Sequence, residues 1–243
     1  MGIWDILRKK KLPPGDPGTQ KAGQKVVNKN AEAATRFAAA DELSQIGTPE
    51  AIACLLQRFT VVIGGPTPDE DEKKHVRNIV VNTGSVAVKP LITFLRENEV
   101  VGQALEILKE ITQSQDYLDH LLQLTESFDP VYSKYPDKKI QVLQEIGKFE
   151  DTRIVSAMTP FLEDTDDDVR MAALKAISRQ EEEAAREQVV QMIVESHESP
   201  RLRIAACEIV SDKNWNVKGY RKQVESVLPD AFLLNKKGQI IKR

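Results

Sequence analysis

One pattern recurs along most of the chain: a basic residue, small residues two and three places later, and a large aliphatic at the seventh place. Arg36 is followed by Ala38, Ala39 and Leu43, Arg170 by Ala172, Ala173 and Ile177, and Arg203 by Ala205, Ala206 and Val210. Lys139 keeps the spacing with Val142, Leu143 and Ile146 but lacks the small residues. Val101 and Arg77 start weaker copies, and after Arg77 a glycine, Gly84, stands where the aliphatic belongs. The anchors at 36, 77, 101, 139, 170 and 203 are unevenly spaced, at intervals suited to stacked helix pairs.

A second apolar stripe follows each anchor helix. Thr48-Pro49-Glu50 combines an N-cap, a first-turn proline and a first-turn acid before Ala51, Ile52, Leu55 and Leu56. Further stripes run through Leu91 and Leu95, Leu118 and Leu122, Ile154 and Met158, and Val189 and Ile193. Such a unit buries only part of its apolar surface alone, so neighbouring units must stack. Aromatic residues are 5% of the chain and charged ones 29%, a balance that suits helix rather than sheet.

Phe161-Leu-Glu-Asp-Thr-Asp-Asp-Asp-Val-Arg-Met-Ala-Ala-Leu-Lys-Ala-Ile177 resembles the junction between two HEAT repeats. Arg36 through Leu56, with its Ile46-Gly47-Thr48-Pro49-Glu50 turn, resembles another. The resemblance covers residues 31–212. It implies an all-α fold, an α-solenoid of about five to six irregular helix pairs wound as a right-handed superhelix. It also implies a non-catalytic protein–protein interaction scaffold or adaptor. Arg36, Asp168, Arg170 and Arg203 are the repeat-defining positions, and Arg170 is expected to pair with Asp168 or an Asp of an adjacent turn. The family also contains chromophore-attaching bilin lyases and DNA glycosylases. A lyase or enzyme accessory is the alternative function, and nucleic-acid binding a third.

The charge distribution argues against the third. Residues 1–30 carry +5, residues 213–243 carry +6, and the stretch between them −14. A nucleic-acid groove needs cations along its binding face, so no nucleic acid is expected as a partner. No enzymatic motif is present: no paired His ligands, Ser-His-Asp set, phosphate loop or Cys-X-X-Cys. Catalytic residues, cofactor and metal are therefore all expected to be none. The Asp164, Asp166, Asp167, Asp168 cluster reads as capping between repeats. Cys54 and Cys207 fall in apolar stripes and read as buried, reduced thiols.

Three segments lie outside the repeat. Residues 1–30 read as a flexible basic tail, with a linker from 12 to 30. Its start places Ile3, Trp4 and Leu7 before Arg8, Lys9, Lys10 and Lys11, a candidate surface for a protein partner or an acidic membrane. The insertion at 128–137 brings Tyr132 and Tyr135, further partner-binding candidates. Residues 213–243 read as a C-terminal cap and basic tail, with a hairpin turning at Lys236-Lys237-Gly238. The start shows no apolar run of signal-peptide length, which places the expected location in the cytoplasm or at the periphery of the inner membrane. The partner proteins themselves are not named by the sequence.

Overall fold

The computed structural model of the protein describes residues 12–195 and 199–243. Among them the fold is all-α, with thirteen α-helices and one two-stranded hairpin. The helices are stacked in pairs in the solenoid manner. The chain divides into two compact units, Met1–Tyr117 and Leu118–Arg243, instead of the single array expected over 31–212.

Unit 1 begins where a linker was expected. Helix α1 (Pro17–Val26) is started by Asp16, whose side chain accepts from the Gly18 and Thr19 amides, with Pro17 at its first position. The same Asp-Pro-Gly run reads as a helix breaker by composition, yet it is an N-cap by geometry. Thr19, Ala22 and Val26 are buried. They lie against α2 (Ala33–Ile46) and α3 (Pro49–Leu56). Gly23 permits that approach, since a Cβ there would stand 3.0 Å from the Cys54 sulfur. Residues 17–26 are thus the cover over the first pair and not a tail.

The expected Thr48 cap opens α3, accepting from the Ala51 amide at 3.3 Å, and Gly47 closes α2 in the left-handed region at φ 64°. Two rows then build up. Helices α2, α4 (Pro66–Asn82) and α6 (Gly102–Ile111) pack in sequence, and α5 (Val88–Glu97) lies against α3 and α6. Gly84, also left-handed at φ 59°, follows the end of α4 and starts a short 3-10 turn. This explains the missing aliphatic in the Arg77 copy. The boundary between the units falls inside α7 (Ser114–Thr125).

The acidic start of α4 is buried rather than solvated. Asp69 and Glu72 lie in α4, only 6% and 4% exposed. Arg36 clasps Glu72 through Nε at 2.9 Å and Nη2 at 2.7 Å. Arg58, 1% exposed, reaches Glu72 at 3.1 Å and Asp69 at 2.7 Å. Lys73 and the Ile63 amide complete the bonding of Asp69 at 2.6 and 3.0 Å. Burial alone would push both carboxyls up, but the bonds from Arg36, Arg58 and Lys73 outweigh it and hold both below their ordinary range.

Unit 2 repeats the plan. Helices α8 (Asp137–Ile146), α10 (Asp167–Ser178) and α12 (Pro200–Asp212) pack in one row. Helix α9 (Arg153–Met158) lies on α10, and α11 (Glu182–Val194) on α10 and α12. Asp166 caps α10 by accepting from Asp168 and Val169, as the acidic cluster predicts. The last helix, α13 (Arg221–Val227), rests on α11. Strands β1 (Phe232–Leu234) and β2 (Ile240–Lys242) pair antiparallel, and β2 lies on α12. Trp215, Val217, Val224, Phe232 and Ile240 are buried in this terminal piece. Both cysteines are buried free thiols, pushed up by desolvation to about 11 at Cys54 and about 12 at Cys207.

Two measurements check this unit plan. Val26→Ala is expected to cost about 2 kcal/mol in urea unfolding, since it strips buried methyls from α1. An unchanged midpoint would return residues 12–30 to the status of a linker. Glu72→Gln is expected to cost roughly 3–5 kcal/mol, because it leaves two buried guanidiniums short of their anion. The native protein's stability is also expected to fall with acid. The folded values of Asp69 and Glu72 lie below the ordinary 3.8 and 4.5. Their contribution is therefore complete above those values and is lost as the pH drops through the lower folded ones. A flat acid limb in the wild type would contradict the pairing.

Candidate functional site

The loop between α7 and α8 is a fixed arch, and the charge pair beneath it is what fixes it. Lys139, 3% exposed in the first turn of α8, donates to the Asp129 carbonyl at 2.6 Å and to Asp164 Oδ2 at 2.5 Å. Asp164 has no side-chain exposure, and its other oxygen accepts from the Asp166 amide at 2.9 Å. The Asp129 side chain accepts from the Val131 and Tyr132 amides at 2.9 and 3.1 Å, closing a tight turn. These two bonds, the largest causes, hold its carboxyl below the ordinary range. The Val131 carbonyl in turn accepts from the Thr165 amide at 2.8 Å. Both feet of the arch are thus bonded to α8 and to the junction before α10.

Beside the arch runs a groove of about 800 Å³ between α7 and α9. Its apolar lining is Leu122, Phe128, Pro130, Ala157, Pro160 and Phe161. Phe128 and Phe161 meet edge to face with centroids 6.4 Å apart, and the Lys138 and Lys139 ammonium groups each stand 5.7 Å from one of these rings. The polar rim includes Arg153, which bonds both Asp119 and Asp151 at 2.8 Å and is held more firmly cationic by them. Tyr132 and Tyr135 project from the arch, 59% and 56% exposed, and Val131 is 45% exposed.

The other sequence candidates fall elsewhere. Ile3, Trp4, Leu7, Arg8, Lys9, Lys10 and Lys11 lie outside the described residues. Arg36 is the buried partner of Glu72. Arg170 bonds Asp167 rather than Asp168, because three residues back along the helix brings that carboxylate onto its face. Asp168 reaches forward to Arg201 at 2.7 Å on α12. Arg203 donates to the Ile193 and Glu195 carbonyls at the end of α11. Four anchor positions therefore meet the chain near a junction, two through buried carboxylates, one through the acid of its own first turn and one through carbonyls. Glu72, Asp69 and Arg58 were not singled out in the sequence. They sit in ordinary charged runs, and only the fold brings them together. Among the described residues, no group of three or more His, Cys, Asp or Glu is placed to hold a metal ion. Nor is any single described helix long and apolar enough to cross a membrane.

Residues 131–211, from the arch through α12, match the family model for HEAT repeats. That stretch of the chain carries HEAT repeats. The match covers the junction read at 161–177 and leaves the one read at 36–56 outside it. No curated protein matches the chain. The match begins within the arch, at Val131.

Lys139→Met combined with Asp164→Asn, which avoids stranding the buried carboxylate, is expected to loosen the arch. Hydrogen exchange at the Val131 and Tyr132 amides should then quicken on the order of tenfold, the effect of one net hydrogen bond lost. Unchanged exchange there would mean that Asp129 alone holds the turn.

Proposed function

We propose that the protein is a non-catalytic docking scaffold that receives a segment of a partner protein in the groove between α7 and α9. The arch would supply the contacts at the rim. The occupant that fits is an apolar segment carrying aromatic or proline residues, seated on Phe128 and Phe161 and meeting Tyr132 and Tyr135. The observation that carries this reading is the arch itself. Two exposed tyrosines are held in advance by a bonded loop, so little side-chain and backbone freedom remains to be lost on binding. Tyrosine combines a large apolar face with a hydroxyl at low rotamer cost, which favours it at recognition surfaces. The HEAT fold agrees with such a role, since the family is commonly used for protein interaction.

Chemical cross-linking from native lysate tests the reading. The full chain is compared with Tyr132→Ser/Tyr135→Ser and with Ala157→Arg, which fills the groove with a cation. Specific partners captured by the wild type are expected to fall at least about tenfold in both variants, as for a binding hot spot. Capture that survives both changes would move recognition to another surface.

A further inference from the structure

The terminal hairpin presents a second surface, of different chemistry. The register pairs Leu233 with Ile241, flanked by Phe232–Lys242 and Leu234–Ile240. Side chains alternate across a strand, so Phe232 and Ile240 turn inward, and both are buried. Leu233 and Ile241 turn outward as a cross-strand pair, 43% and 42% exposed. By the same alternation Arg243, whose amide bonds the Ala231 carbonyl, shares their face at one end. At the other end stands the Lys236-Lys237-Gly238 turn. Asn235 fixes it by accepting from the Lys237 and Gln239 amides at 2.9 and 3.0 Å, and Gly238 has the required positive φ of 79°. Arg221, at the start of α13, donates to the Lys236 carbonyl at 3.3 Å and so brings another cation to the turn, though Glu225 at 2.9 Å partly offsets it.

The result is an aliphatic pair on a ribbon with exposed cations at both ends, in a segment of net charge +6. Two features decide what fits it. The cations around the turn are mostly lysines, which protein interfaces deplete and which act as point charges without directional pairing. The apolar centre is an aliphatic cross-strand pair that projects from a ribbon. A diffuse anionic layer with an apolar interior complements both features. We propose that this hairpin face is a docking surface for an anionic lipid bilayer. Lys236, Lys237 and Arg243 meet the headgroups, and Leu233 and Ile241 enter the interfacial region. The surface is separate from the arch and its groove, and the proposal does not depend on the docking role assigned to them.

The full chain is tested by co-sedimentation with vesicles of phosphatidylcholine, with and without phosphatidylglycerol. Binding is expected only with the anionic lipid and should weaken as salt rises. Lys236→Glu/Lys237→Glu should weaken it on the order of tenfold or more. Leu233→Ser/Ile241→Ser should weaken it several-fold while leaving the charge intact. All four positions are exposed, and an unchanged helical circular dichroism spectrum confirms that the variants fold. The basic cluster of residues 8–11 supplies the competing explanation, tested by Lys9→Glu/Lys10→Glu/Lys11→Glu. Loss of binding in that variant with full retention in both hairpin variants overturns the proposal. So does failure of the wild type to bind anionic vesicles, which would leave an acidic protein as the hairpin's partner.

Discussion

The structure depends on a cation at the head of a repeat's first helix reaching a buried carboxylate at the start of the next repeat, before its first helix or within that helix's first turns. Arg36 does this with Glu72, and Lys139 with Asp164. Each pair joins residues far apart in sequence, so each fixes how one helix pair sits on the next. Apolar packing alone tolerates sliding between similar aliphatic stripes. A buried ion pair does not, because displacement strands a charge away from water. In this chain the apolar contacts provide the bulk of the burial and the ion pairs set the register.

That division of labour explains what was legible in the sequence. The helix pairs were readable because apolar periodicity is local: Leu43, Ile177 and Val210 announce their faces within two turns. The Thr48-Pro49 start of α3 and the Asp166 cap of α10 were readable for the same reason. The identity of the carboxylate that each anchor meets was not. Glu72 is one of several acids in a short run, and nothing in its neighbours marks it as the residue that Arg36 and Arg58 enclose. Asp16-Pro17-Gly18 misled for another reason. The same three residues can break a chain or begin a helix, and the tertiary contact of Ala22 and Val26 decides between them.

The arch rests on the same device. Tyr132 and Tyr135 could be seen in the sequence as an aromatic insertion, but their posture could not. It is Lys139, a repeat anchor, that spends one of its donors on the Asp129 carbonyl while another neutralises Asp164. A residue whose first duty is the junction therefore also holds the loop that carries Tyr132 and Tyr135. The groove residues on α7 and α9 carried no sequence signal as a site, since Leu122 and Ala157 are ordinary helical residues until the fold opens a space between them.

The two covers follow a different logic. A residue inside a row must match neighbours on both sides, which restricts it to small or aliphatic types and confines charge to paired positions. A cover matches only one neighbour. Helix α1 meets that demand with Thr19, Ala22 and Val26, and the terminal piece with Trp215, Val224, Phe232 and Ile240. The opposite faces of these elements carry no stacking constraint, and their charge is free to be set by something other than the fold. In a chain whose middle is strongly acidic, residues 213–243 hold an excess of six positive charges. Stability does not require that excess, because Lys236, Lys237 and Arg243 project into solvent away from the core they cap. That excess and the outward aliphatic pair of Leu233 and Ile241 are the two features on which the proposed contact with an anionic layer rests.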